Sequence, residues 1–266
     1  MGTTAQKLEY LQGTKEQLKS ILTGKGISIP SGTTFRGMVN LVTQLPMPVI
    51  SDNFSSNDWA TIILACRLKT IPTSWTVGSS KTMLIGGTNY QIDIIGKNHD
   101  DYADGSGKAP LTFQMHHCYN TKYRMNSSNT NSGGWNSCEM RTSRMASILT
   151  QMPQEVQAAV REVKKLTGSG RASSTIVTSN DKLFLLSEIE IDGSATYSAS
   201  GEGSQYAYYQ NGGSTIKQVG GSNSVWWTRS PVRTNTTAFC NTGVTGNVAW
   251  GTPTSGANGV AAAFCF

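Results

Sequence analysis

The run NHDDYADGSG (98–107) gathers His99, Asp100, Asp101 and Asp104, and oxygen donors at that density can hold Ca²⁺. It lacks the spacing and closing glutamate of an EF-hand loop, so a structural turn is the simpler expectation. HHC (116–118) offers imidazole and thiol, both zinc ligands. Successive strand residues point to opposite faces, however, and a zinc site needs about four convergent donors. SEIEID (187–192) reads as a strand with Glu188, Glu190 and Asp192 on one solvated face. The five cysteines (Cys66, Cys118, Cys138, Cys240 and Cys265) are odd in number and irregularly spaced, which argues against a disulfide framework. No G-x-S-x-G, H-E-x-x-H, P-loop or Rossmann fingerprint occurs. The sequence thus nominates no catalytic residue, metal ligand or cofactor site, and the expectation is a protein that is not an enzyme.

Non-covalent recognition is the better prospect, and it rests on WWTRSPVRTNTTAFCNTGVTGNVAWGTPTSGANGVAAAFCF (226–266). Adjacent Trp226 and Trp227 face opposite sides of a strand, predicting one in the core and one partly exposed. Arg229 is expected to brace the turn that Pro231 begins. In GVAAAFCF, Val260, Ala262, Phe264 and Phe266 alternate with Ala261, Ala263 and Cys265, so both faces are apolar and the strand should be central and buried. Between these ends lie bland polar residues and a lone tryptophan. Thr234, Asn235, Thr236, Thr237, Asn241, Thr245, Asn247, Trp250, Thr252, Thr254 and Asn258 are expected to form an exposed, exchangeable binding set. Short Asn and Thr side chains give adaptable hydrogen bonds, and Trp250 or Tyr206, Tyr208 and Tyr209 can supply anchors.

The elements that must position this stretch follow an α+β pattern, with helices early, strands late and no regular βαβ alternation. Over 1–48, Leu8, Leu11, Leu18 and Leu22 form one helical stripe with Lys15 in its gap, capped by Thr3 or Thr4 and ended by Gly24 and Gly26. A second short helix, capped by Thr33 or Thr34, carries Phe35, Met38, Val42 and Leu45 and stops at Pro46. This pair is either a hairpin packed on its own domain or an attachment or oligomerisation module. PMPVISDN (46–53) reads as a linker. The domain over 49–266 opens with a helix capped by Asn57, then a hairpin turning at Gly86-Gly87 and a strand in PLTFQMHHC. Two helices are predicted over CEMRTSRMASILTQM and PQEVQAAVREVKKLTG, then strand, turn and strand over STIVTSNDKLFLLSEIEI.

Charged residues make up only 14% of the 266, against about 25% in typical soluble chains. The formal charge is +6, but the best basic cluster, REVKKL (161–166), falls late in a predicted helix, where cations complement the dipole. Nucleic acid is not an expected partner. No apolar run approaches the roughly 18 residues of a membrane span, so no membrane insertion is expected. MGTTAQKLEY lacks the apolar core of a signal peptide, which suggests synthesis in a cytosol with reduced thiols.

The ordered motifs GTNYQIDIIGKNHDDY, LTFQ, GGWNSCEMR, DKLFLLSEIEI, GEGSQYAYY, WWTRSP and GVAAAFCF, spanning roughly 57–266, resemble an uncharacterised domain family. Its members occur in tail-fibre proteins of phages and prophages of gut Firmicutes and in bacterial surface proteins. That family often ends G-V-R-P-A-F; here Ala261 and Ala262 stand where Arg and Pro are usual. The helical segment is similar to a short module recurring at the front of such tail proteins. The 226–266 stretch also resembles the variable region of proteins targeted by diversity-generating retroelements, in which miscopied adenines diversify Asn, Thr and Ser codons. The resemblance implies a C-type-lectin-type fold, related to the formylglycine-generating-enzyme fold, with a small N-terminal helical module. It further implies a phage-tail receptor-binding protein made in the host cytoplasm and carried on the virion. Such a protein would be homotrimeric, would bind a bacterial cell-surface protein or glycan, and would meet other phage tail proteins through its N-terminal module. The rivals are a structural tail or surface protein without a ligand, and an oxidase of the formylglycine-generating kind, which would need Cys240 and Cys265 side by side.

Overall fold

A computed structural model of the chain describes residues 3–45 and 48–266, without the side chain of Trp250. Pro46, the expected helix stop, lies outside the described residues. The chain divides into two compact units, Met1–Val49 and Ile50–Phe266.

In the first unit, α1 (Thr4–Gly24) starts at a capping box, with Thr3 accepting from the Gln6 amide while the Gln6 side chain reaches back. Thr34 caps α2 (Phe35–Leu41), and a 3₁₀ turn over Val42–Gln44 follows. Leu22 and Met38 are buried, whereas Leu8 and Leu11 are 62% and 57% exposed. The N-terminal half of the leucine stripe therefore faces solvent.

The second unit opens with α3 (Trp59–Leu68). Its cap is Asp58, which accepts from the Thr61 amide at 2.7 Å. The expected cap, Asn57, instead folds back onto the Ser51 and Asn53 carbonyls at 3.0 and 2.8 Å. This ties part of the expected linker into the domain, where the Ser51 carbonyl also accepts from the Trp75 indole. Next come β1 (Ser80–Ile85), β2 (Thr88–Lys97) and β3 (Leu111–Met115), with β1 and β2 joined at Gly86-Gly87. After α4 (Gly134–Ser137), a π-helical turn over Met140–Met145 runs into α5 (Ala146–Leu149), and α6 (Gln154–Ala159) follows. Then come β4 (Val163–Gly168), β5 (Ile176–Asp181), β6 (Leu183–Phe184), α7 (Glu188–Asp192) and α8 (Ala207–Gln210). The remaining strands are β7 (Lys217–Val219), β8 (Ser222–Ser224), β9 (Trp226–Pro231), β10 (Ala238–Thr242), β11 (Val248–Pro253) and β12 (Ala263–Cys265).

The result is a mixed helix-and-sheet, α+β architecture of small antiparallel sheets. The largest has the order β1-β2-β3-β12-β6, and a second has the order β11-β10-β9. β12 lies between β3 and β6, as two apolar faces require. Phe264 stacks on Phe113 at 5.3 Å, and Trp59 closes on Phe113 at 5.8 Å, forming the aromatic centre of the core.

Two predicted elements are corrected. The helix expected through 168 ends at Ala159, and 163–168 is strand. Val163, Lys165 and Thr167 point inward while Lys164 and Leu166 point outward; a buried lysine masks that period-two pattern in the sequence. SEIEID is a helix rather than a strand. Ser187 and Glu190 form its capping box, and Gly193, in the left-handed region at φ 81°, ends it.

Candidate functional site

All six residues of β9 are buried. Both tryptophans are fully interior, against the expectation for one of them, because each indole N–H finds a distant carbonyl. Trp226 donates to Thr215 at 3.0 Å and Trp227 to Tyr123 at 2.7 Å. The start of β9 locks against the approach to β12. Trp226 and Gly259 form a parallel bridge, with Trp227 N to Gly259 O at 3.0 Å and Gly259 N to Val225 O at 2.9 Å. Only glycine fits at 259, since a Cβ there would lie 2.6 Å from the Cys118 sulfur.

Arg229 does not brace a surface turn; it is wholly buried. Its guanidinium grips Glu190 in a bidentate pair, with Nη2 to Oε1 at 2.8 Å and Nη1 to Oε2. It also donates to the carbonyls of Leu166, Leu185 and Glu202 at 3.0, 3.0 and 2.9 Å. Lys165 extends the network, its ammonium 2.7 Å from both Glu190 Oε1 and Asp100 Oδ1. Asp100 also accepts from the Tyr206 hydroxyl at 2.9 Å and from Thr112 Oγ1 at 2.5 Å. Burial alone would raise the Asp100 pKa, but the Lys165 charge and the hydrogen bonds from Lys165 and Thr112 outweigh it and hold it at about 2. Glu190 is likewise lowered against its burial, by Arg229 and Lys165.

Two cations thus face two carboxylates, and Glu202 is left over. Its oxygens take the Gly168 amide at 2.6 Å and the Ser230 hydroxyl, yet burial still pushes its pKa up to about 7. Glu188, expected on a solvated face, is also buried, and its carboxylate takes the amides of Thr196, Tyr197 and Ser198 at 3.1, 3.0 and 2.6 Å.

The oxygen-rich loop disperses its groups. Asp100 enters the buried network, Asp101 pairs with Lys108 at 3.0 Å, and Asp104 meets Arg161 at 2.5 Å. His116 Nδ1 lies 2.6 Å from Asp93, while Cys118 is buried. Among the described residues, no group of three or more His, Cys, Asp or Glu side chains is placed to hold a metal ion. Cys240 belongs to a small cluster with Val232 and Ala238, apart from the main core that contains Cys265, and burial raises both thiol pKa values.

Above this frame, the polar set divides. Thr234, Thr236, Thr245 and Asn247 are exposed, and Asn235, Thr237 and Thr252 are half-buried. Three expected surface residues are interior: Asn241, Thr254 and Asn258. Asn241 sits on the central strand β10 and donates to Thr252 Oγ1 at 2.7 Å, and Asn258 donates to the same oxygen at 3.1 Å. Thr254 donates to the Ser128 carbonyl at 2.9 Å. Each of the three thus spends a side-chain donor inside the protein. Trp250 is on β11, and its side chain lies outside the description. Tyr206 and Tyr209 are buried and Tyr208 is half-buried, so the tyrosine anchors are largely enclosed.

The exposed and half-buried residues also fall at opposite ends of β10. Thr245 and Asn247 occupy the β10–β11 turn, near β8 through the Asn223 to Val244 contact at 3.4 Å. Thr234–Thr237 and Thr252 lie at the other end, about 13 Å away for a strand of this length. Here a further loop joins them. The amides of Met125 and Asn131 donate to the carbonyls of Thr254 and Thr236 at 3.0 and 2.9 Å. The Asn131 side chain reaches the carbonyls of Asn235 and Ala238 at 2.8 and 2.9 Å, and its Oδ1 takes the Arg171 amide at 2.8 Å. Asn131 was hidden in the run NSSNTNS (126–132), where nothing distinguishes a buried amide from its solvated neighbours.

Together the fold and this face define an α+β domain that fixes displayed polar loops on a charged, buried frame. The chain belongs to the family described as Domain of unknown function (DUF6273), which matches residues 109–266, from just before β3 to β12. No curated protein and no solved structure matches the chain.

Proposed function

We propose that the protein is a receptor-binding adhesin that recognises a bacterial surface ligand through the loops at the Thr234–Thr237 end of β10. One observation carries this reading: exposed short polar side chains stand on backbone that Asn131 pins from beneath, through its side chain to the Asn235 and Ala238 carbonyls and its amide to Thr236. Loops held by a rigid scaffold are where binding commonly resides. Surface substitutions away from special features change stability by only about 0.5 kcal/mol, so such a face can vary while the fold persists. The resemblance to phage tail proteins and to retroelement-diversified variable proteins supports placement on a phage tail and a C-type-lectin-type fold. A trimer held through residues 1–48 would give weak sites avidity.

The test is adsorption. Purified protein should coat host cells and block phage attachment. Variants at Thr234, Thr236, Thr245 and Asn247 should retain the parental melting temperature, and changes at Thr234 and Thr236 should alter attachment. Unchanged attachment across substitutions at those two positions removes the proposal.

A further inference from the structure

From the charge around these loops we infer that the face takes an acidic glycan, an extended hydroxyl-rich chain bearing repeated single negative charges. The inference rests on the binding-face reading above and names its ligand class.

The two long segments that build the face contain no carboxylate side chains. No Asp or Glu occurs between Asp104 and Glu139, or after Glu202 through Phe266. The same segments place Lys122, Arg124 and Arg233 in solvent. Hydrogen bonds bring these residues to one seam. Tyr123 pairs with Asn258, Met125 N binds Thr254 O, and Arg233 directly precedes Thr234. Arg171 joins from the β4–β5 turn, its amide held by Asn131 Oδ1. Arg171 and Ala172 both adopt left-handed backbone, at φ 56° and 58°. Non-glycine residues hold that conformation at a cost, which the surrounding structure must offset. Among the described residues, the side chains of Lys122, Arg124, Arg171 and Arg233 make no hydrogen bond or ion pair.

Glu139 is the carboxylate that reaches this region, and its Oε1 is occupied by the Ser127 amide at 2.8 Å and the Ser127 hydroxyl. Glu139 also feels the charge of Arg124, without a direct ion pair. Four cations on three loops suit charges spaced along a chain rather than one dense anion. The exposed side chains between them, Ser127, Ser128, Asn129, Thr234, Thr236 and Ser255, are hydroxyls and amides, which match sugar hydroxyls.

The experiment measures equilibrium binding of the full chain to polygalacturonate, to uncharged dextran and to single-stranded DNA, together with binding to host cells. Polygalacturonate should bind, weaken with added salt, and exceed both dextran and DNA. Each of Arg124→Gln, Arg171→Asn and Arg233→Gln should weaken binding about two- to fivefold, the usual worth of an exposed ion pair. The triple variant should lose about tenfold or more, while its melting temperature stays parental; asparagine at 171 tolerates the left-handed backbone. No binding to polygalacturonate, equal binding to dextran, or equal binding to DNA overturns the inference. If the triple variant still binds host cells at full strength while polar-loop variants do not, the ligand is uncharged: the inference falls and the binding-face reading stands. If neither set affects cell binding, both fall.

Discussion

Replacing Arg229 by methionine removes the central donor of the buried network. The side chain is fully enclosed, so no water replaces it. Glu190 loses a bidentate partner and keeps Lys165, while the carbonyls of Leu166, Leu185 and Glu202 each lose a donor. Breaking a buried ion pair on one side costs about 3–5 kcal/mol, and each orphaned buried acceptor adds about 1 kcal/mol or more. A loss of about 6–8 kcal/mol is expected, a large share of the 5–15 kcal/mol that typically separates folded from unfolded chains. Urea unfolding followed by tryptophan fluorescence should show the midpoint falling by about 2 M or more, given a slope of about 1–3 kcal/mol per M. The double variant Arg229→Met/Glu190→Leu removes one charge of each sign and leaves Lys165 facing Asp100. It should recover about 2 kcal/mol of the loss, because apolar substitutes for a buried pair are often tolerated. A single variant that costs less than about 1 kcal/mol would refute the claim that this network holds the frame. A double variant no better than the single would refute the charge-balance argument.

Alanine at Asn241, Thr254 or Asn258 should cost about 1–2 kcal/mol each, whereas alanine at Thr234, Thr236, Thr245 or Asn247 should stay within about 0.5 kcal/mol, read by thermal melts. Glu202 has a folded pKa of about 7, above its ordinary 4.5. Its stabilising contribution is therefore full below pH 4.5 and is lost as pH rises through 7, by about 3 kcal/mol at 1.36 kcal/mol per unit. Glu202→Gln should flatten that fall in a pH series of urea midpoints, and an unchanged slope would assign it elsewhere. Asn131→Ala removes two donations and one acceptance, so amide exchange at Thr236–Ala238 should accelerate and stability should drop by about 2–4 kcal/mol. Gly259→Ala forces a Cβ to within 2.6 Å of the Cys118 sulfur and should cost about 1–3 kcal/mol in the same melts.

What the sequence made legible was local. The Gly86-Gly87 turn announced the β1–β2 hairpin, and two-sided apolarity announced the central position of β12. The capping box in α7 was equally local, Ser187 with Glu190, but alternating acids suggested a strand and obscured it. Polar burial was not legible, because it depends on partners far along the chain. Lys165 is interior only because Asp100 and Glu190 converge on it, and Arg229 because Glu190 and three carbonyls meet it. The same holds at the face. Asn241 and Thr236 are both short polar residues in one stretch, but Asn241 falls on β10 and bonds Thr252 while Thr236 falls in the β9–β10 loop and meets solvent.

The position of β12 bears on how the protein is made. β3 is complete at Met115, yet the strand that covers its second edge begins at Ala263. At the usual 5–20 residues per second of synthesis, β3 waits roughly seven to thirty seconds with one row of amides and carbonyls open. Unpaired edges of that kind recruit neighbouring chains. Nascent copies on one messenger are therefore most prone to mispairing during that interval, and a chaperone that shields residues 111–115 would raise yield more than one acting after release.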